Sequence, residues 1–183
     1  MFEIREDDLR DEQSRALLEL HLHEMHANSP PGSVFALDIS GLTRPEVTVW
    51  SVWDNERIVA IGALRMLGDD HAEIKSMRTH PDYLRRGAAA LLLDHVIGIA
   101  RARGVHRLSL ETGSGPPFDA ALQLYRERGF ESGDAFSDYE KSEFNQFLHK
   151  ELALLPTMPT LPKGRPHRHA TDQGQTVAIS RLS

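Results

Sequence analysis

Arg85, Arg86 and Gly87 stand together where an extended segment turns into a helix. A helix N-terminus leaves its first N–H groups unpaired and carries a partial positive charge. Backbone there receives a phosphate when side chains do not obstruct it. Gly87, Ala88, Ala89 and Ala90 keep the approach open, and Arg85 and Arg86 add charge. The pattern reads as a seat for an anion. The plain alternative is an ordinary helix start with solvated arginines, since one glycine-containing helix start is a weak motif.

Other residue types suggest other chemistry, and most of it can be set aside. His21, His23 and His26 lie in one predicted helix. His21 and His23 stand ~200° apart at ~100° per residue, so the three cannot converge on one ion. "HEMH" is one residue short of the spacing that puts two histidines on one face around zinc. No metal is expected. Cysteine is absent, which removes a thiolate nucleophile, a disulfide and a Cys-ligated metal. Ser114 in "TGSGP" lacks the nucleophile-elbow pattern, and there is no Walker loop.

The elements that must position these groups follow from periodicity. Residues 2–5 alternate as a short strand. From about Asp8 to Ala27, Leu18, Leu22 and Met25 recur at helical spacing, giving a helix with one buried stripe. "NSPPGS" stops it, because proline cannot extend a helix. "SVFALDISGL" reads as a second, short helix. "VTVWSVW" (47–53) and "RIVAIGALRML" (57–67) are strands joined by "DNE", and 71–79 is a third strand. Strict alternation puts Glu73, Lys75, Met77 and Thr79 on one face and Ile74, Ser76 and Arg78 on the other. Gly87 to Arg103 reads as a helix burying Leu91, Leu92, Val96 and Ile99, with Gly104 as its stop. A strand at 106–112, a helix at 116–130 and weaker strands near 130–134 and 145–152 complete the order βααβββαβαββ. That is an α/β (α+β) domain with a mixed sheet.

The bulk properties agree with one domain. The chain has 183 residues and a net charge of −6, which does not suit a nucleic-acid binder. The acidic start has no apolar stretch, so no secretory leader is expected, and no run approaches the ~18 residues of a membrane span. A cytoplasmic protein is the expectation. The domain is expected over 1–154. Residues 155–183 carry four prolines and read as a flexible tail, with "TVAIS" as a strand that nothing requires. The tail holds four basic residues and one acidic, leaving −9 on the body, which favours a cationic partner.

The segment 73–130 resembles the GNAT acyltransferase family. Its acetyl-CoA motif runs strand, turn, Q/R-x-x-G-x-G/A, helix, and here reads "MRTHPDYLRRGAA". Leu84 stands where Gln or Arg is usual, and Ala89 takes the last small position. "LYRERGF" is similar to the family's second signature, "LY-x-x-x-GF". More narrowly, "EIKSMRTHP", "RLSLETGS" and "SPPGSVFALDISGL" resemble a bacterial branch labelled indoleacetic-acid acetyltransferase-like. The resemblance covers nearly all of 1–152. It implies the GNAT acyl-CoA N-acyltransferase fold, a mixed, mostly antiparallel sheet flanked by helices. It also implies acetyl-CoA as cosubstrate, an amine acceptor and direct transfer, with a homodimer left open.

Roles follow from the resemblance residue by residue. Glu73 precedes Gly87 by 14 residues, the offset of the strand glutamate that is the base in the histone-acetyltransferase branch. Lys75 would hold its carboxylate ionised. A purely structural Glu73–Lys75 pair is the alternative, and Glu111 is the competing base. Tyr125 would protonate the leaving thiolate, unless it is only a core aromatic. The backbone N–H of Met77 would polarise the acetyl carbonyl. Met77, Thr79, Leu84, Arg85, Arg86, Gly87, Ala88, Ala89, Ala90 and Tyr125 would hold the cosubstrate. Phe118 replaces an Asn that often contacts pantetheine in the family. The acceptor would meet the first helix and "SPPGSVFALD". Leu84 and Phe118 keep a second reading open, a CoA-binding sensor or interaction module without catalysis; a third is a structural protein.

Overall fold

A computed structural model describes residues 1–153; the expected tail and "TVAIS" lie outside the described residues. The strands are β1 (Phe2–Glu6), β2 (Val47–Asp54), β3 (Arg57–Met66), β4 (His71–Thr79), β5 (Arg107–Thr112), β6 (Glu131–Ser132) and β7 (Gln146–Glu151). The helices are α1 (Glu12–Asn28), α2 (Ile39–Leu42), α3 (Ala88–Ala102) and α4 (Asp119–Glu127). Their order is the expected βααβββαβαββ. One seven-stranded sheet runs β1-β2-β3-β4-β5-β7-β6. Every pairing is antiparallel except β4 with β5, whose parallel junction is crossed by α3.

Local chemistry sets the helix ends. Asp11 caps α1, its side chain accepting from the Gln13 N–H at 2.8 Å. The helix therefore starts later than the periodicity suggested. Its buried residues are Ser14, Leu17 and Leu18, while Leu22 and Met25 are only half-buried. The short helix predicted in "SVFALDISGL" shrinks to the single turn of α2, capped by Asp38. In α3, Leu92, Val96, Leu93, Ile97 and Ala100 are buried, but Leu91 is exposed. Each fully buried leucine or valine contributes about 1.5–3 kcal/mol.

The sheet carries a core on each face. Leu92, Leu93, Val96 and Leu122 pack with Val52, Leu64, Ile74, Leu108 and Leu110 on one side. Leu17, Leu18 and Leu42 pack with Val49, Trp53, Ile58, Ile61 and Ala63 on the other.

Strand β4 departs from strict alternation. Lys75 pairs with Ala63 and Arg78 with Ile61, so three residues of β4 advance against two of β3. Ser76, at φ 53°, is the bulge residue. Beyond it the faces exchange. Arg78 joins Glu73 and Lys75 on the α1 side, while Met77 packs with Ile74 in the α3 core. Thr79 pairs with Ala60, also of the α3 core. The face expected for Met77, Thr79 and Arg78 is thus corrected, because one inserted residue shifts a period of two by half a cycle.

Candidate active site

The parallel pairing of β4 with β5 spans only His71–Glu73 against Arg107–Ser109. Past it the strands part and a cleft opens. Lys75, Ser76, Met77 and Arg78 form one lip, and Glu111 with Thr112 forms the other. Helix α1 contributes His21 and Glu24, the segment after it Phe35, and the α4 side Phe118 and Tyr125. Residues 76 and 77 have no register partner in β3, so the bulge leaves this stretch of backbone facing the opening without a regular ladder.

Tyr125 is buried in α4, its ring edge-on to Phe130 at 5.8 Å. Burial raises its phenol well above the ordinary tyrosine range, so it stays protonated and can donate. Glu111 lies on β5, partly exposed to the same cleft. Burial pushes its carboxyl up to about 7; the nearby Lys75 cation opposes this, and the Glu73 carboxylate adds to it. His21 is pushed down to about 4, first by burial and then by the Arg78 cation, so its imidazole is neutral at pH 7. Arg78 forks onto Glu24 at 2.6 and 2.7 Å, tying β4 to α1.

Glu73 is placed differently from Glu111. Its side chain has no exposed surface and lies off the cleft wall. Its Oε1 accepts from the Tyr139 hydroxyl at 2.5 Å and lies 3.3 Å from Lys75 Nζ. Its Oε2 has only the Arg65 guanidinium, at 3.9 Å. Lys75 in turn donates to the Tyr139 oxygen at 2.6 Å and to the Phe35 carbonyl at 2.8 Å. Tyr139 also packs edge-on against Phe35 at 5.1 Å. It therefore joins the segment before β7 to the segment after α1, over Glu73. Nothing in the sequence pattern singled Tyr139 out, because its partners are 64 and 66 residues away.

At the start of α3, Arg85 (φ 59°) and Gly87 (φ 86°) both take the left-handed conformation. Gly87 does so without a Cβ penalty. No side chain caps α3, and a Cβ on Gly87 would stand in open space with nothing within 4 Å. That open space over the free amides of a 15-residue helix fits a pyrophosphate. Arg85, Arg86 and Leu84 are exposed around it, and Arg86 lies over the Tyr83 ring at 4.9 Å. Ala88 is buried beneath, with Ala89 and Ala90 half-buried. Among the described residues, no three histidine, aspartate or glutamate side chains gather as a metal site. No helix there is long and apolar enough to cross a membrane.

Strand β4 parts from its parallel neighbour, an uncapped helix start follows it, and a buried tyrosine lines the same cleft. The acetyltransferase (GNAT) family model matches residues 5–130, and the chain belongs to that family. It is similar to the uncharacterized N-acetyltransferase YedL of Escherichia coli (strain K12). That relative is 48% identical over 159 residues, covering 87% of this chain and all of the relative. The uncharacterized N-acetyltransferase YsnE of Bacillus subtilis (strain 168) is 44% identical over 149 residues, 81% of this chain and 99% of its own. A solved structure from Klebsiella pneumoniae, named an acyl-CoA N-acyltransferase, superposes with a TM-score of 0.71 at 25% identity. It covers 84% of this chain and 99% of its own. The chain is an N-acetyltransferase of the GNAT fold, with acetyl-CoA as its cosubstrate.

Proposed function

We propose that the chain transfers acetyl directly to the amine of a small cationic acceptor, with Glu111 as general base and Tyr125 as general acid. The observation that carries this is Glu111, a carboxyl on the cleft wall that burial pushes up to about 7, in the same cleft as a buried phenol that keeps its proton. An alkyl ammonium near pKa ~10.4 is mostly charged at neutral pH, so attack requires a base with a matched pKa. The resemblance gives that task to Glu73. We assign it to Glu111, because Glu73 is sealed beneath Tyr139 and has no surface that an amine could meet.

Acetyl-CoA supplies a thioester carbonyl and a thiolate leaving group. The backbone N–H of Met77 would polarise the carbonyl, as an oxyanion donor does. Tyr125 would hand its hydroxyl proton to the departing sulfur. Thr79 and residues 84–90 would hold the pantetheine and pyrophosphate. The acceptor would enter beside α1 and Phe35, where Glu111 supplies negative charge.

An amine panel read by release of CoA thiol tests this reading. At least one cationic amine should be acetylated, with loss of ~10²–10⁴-fold in Glu111→Gln. A panel in which only neutral or anionic amines react would remove the acceptor class. Full activity in Glu111→Gln would remove the base.

A further inference from the structure

Glu73 is a carboxylate with no exposed surface, two residues before Lys75 of the cleft lip. A buried charge is costly unless it is paired and hydrogen-bonded. Here the pairing is incomplete, since Oε2 has no hydrogen-bond donor. Resting on the assignment of Glu111 as base, we propose that Glu73 is a positioning residue of a particular kind. It is a fixed negative charge beneath the cleft that, opposed by Lys75, sets the pH at which Glu111 takes a proton from the amine.

The geometry supports this. Glu73 pairs in register with Ser109, and Glu111 is the next residue of β5 on that same face. Lys75 is the next residue of β4 on that face and lines the cleft with Glu111. Low-dielectric surroundings keep such charges coupled. Of the other charged or titratable groups around Glu111, His71 and His149 hold the Ser109 hydroxyl between them at 2.8 and 2.7 Å on the same face. Arg65 backs Glu73 from β3. Arg78 and Glu24 neutralise each other on the α1 side, and His21 is neutral. The Tyr125 and Tyr139 phenols hold their protons, and the β7 partner of Glu111 is the apolar Phe147. Lys75 and Glu73, paired with each other at 3.3 Å, are the two charges that act on Glu111, and they do so in opposite directions.

The test is a pH–rate profile with one accepted amine, paired with a ¹³C-carboxyl NMR titration of the glutamates, for five proteins. Glu111→Gln identifies the acid limb and the Glu111 resonance. Glu73→Gln removes negative charge, so the limb and the resonance midpoint should move down by about one pH unit. Lys75→Met removes positive charge, so both should move up by a similar amount. Tyr139→Phe keeps both charges and breaks the clasp, so the midpoint should stay within a few tenths while stability falls. The amine's own ionisation is the same in every protein, so a shift that follows the mutated charge belongs to the enzyme. If Glu111→Gln keeps the acid limb, the base assignment fails. If Glu111→Gln removes the limb but Glu73→Gln and Lys75→Met leave the midpoint in place or move it together, the base stands and this proposal is overturned. The NMR midpoint decides even if a variant is too slow to assay.

Discussion

Replacing Glu111 by Gln should make the protein slower and, above neutral pH, more stable. The folded carboxyl lies at about 7, above its ordinary value of 4.5. A carboxyl raised by folding binds its proton more tightly in the folded state. Between the two values stability therefore falls as pH rises, and the penalty is complete above about pH 7. That penalty is of order 3 kcal/mol as an upper bound, and less because part of Glu111 reaches water. Glutamine has nearly the same shape and no charge to bury. Glu111→Gln should therefore melt higher than the parent at pH 8 and no higher at pH 4. The rate consequence has the same origin. A group at about 7 is about one-tenth ionised at pH 6 and about nine-tenths at pH 8, so the parent's rate should rise nearly tenfold across that interval and then level. The variant should lose ~10²–10⁴-fold at pH 7, and its residual rate should keep climbing about tenfold per pH unit as free amine accumulates. Differential scanning fluorimetry at the two pH values and a thiol-release assay from pH 6 to 9 give both readings. A variant that melts lower at pH 8 and keeps the parent's pH profile would refute the reasoning.

Arg86→Ala should weaken acetyl-CoA binding by about 1–3 kcal/mol if its guanidinium meets the pyrophosphate; calorimetry reads it. Gly87→Val should weaken it more, because a branched residue strains at φ 86° and its side chain fills the open seat; unchanged affinity in both variants would end the phosphate-seat assignment. Tyr125→Phe should lower turnover with little relief at high pH and leave acetyl-CoA affinity nearly unchanged, which presteady-state thiol release against calorimetry would check. Recovery of the Tyr125→Phe rate at pH 9 would assign the lost step to the amine instead.

Much of the architecture was legible in the chain itself, because periodicity and stop residues are local. The βααβββαβαββ order, the hairpin around Asn55, the Gly104 and Gly129 stops and the helix start at Gly87 all rest on residues within a few positions of one another. Phe35, in the segment expected beside the acceptor, lines the cleft. Helix faces were less legible: Leu91 fits an apolar stripe yet is exposed, since the stripe's rotation depends on where α3 rests on the sheet.

The different placement of the two glutamates was decided only in three dimensions. Both read as strand carboxylates near a turn. Their difference comes from what covers them. The segment before β7 folds back so that Tyr139 closes over Glu73, while the parting of β4 from β5 leaves Glu111 at the cleft. The Ser76 bulge likewise leaves no compositional trace, yet it turns Arg78 toward α1 and Met77 toward α3. Spacing along a chain specifies which residues can share a face. Register, burial and charge at a site depend on neighbours brought from 40 to 66 residues away, and those determine which carboxylate can exchange a proton.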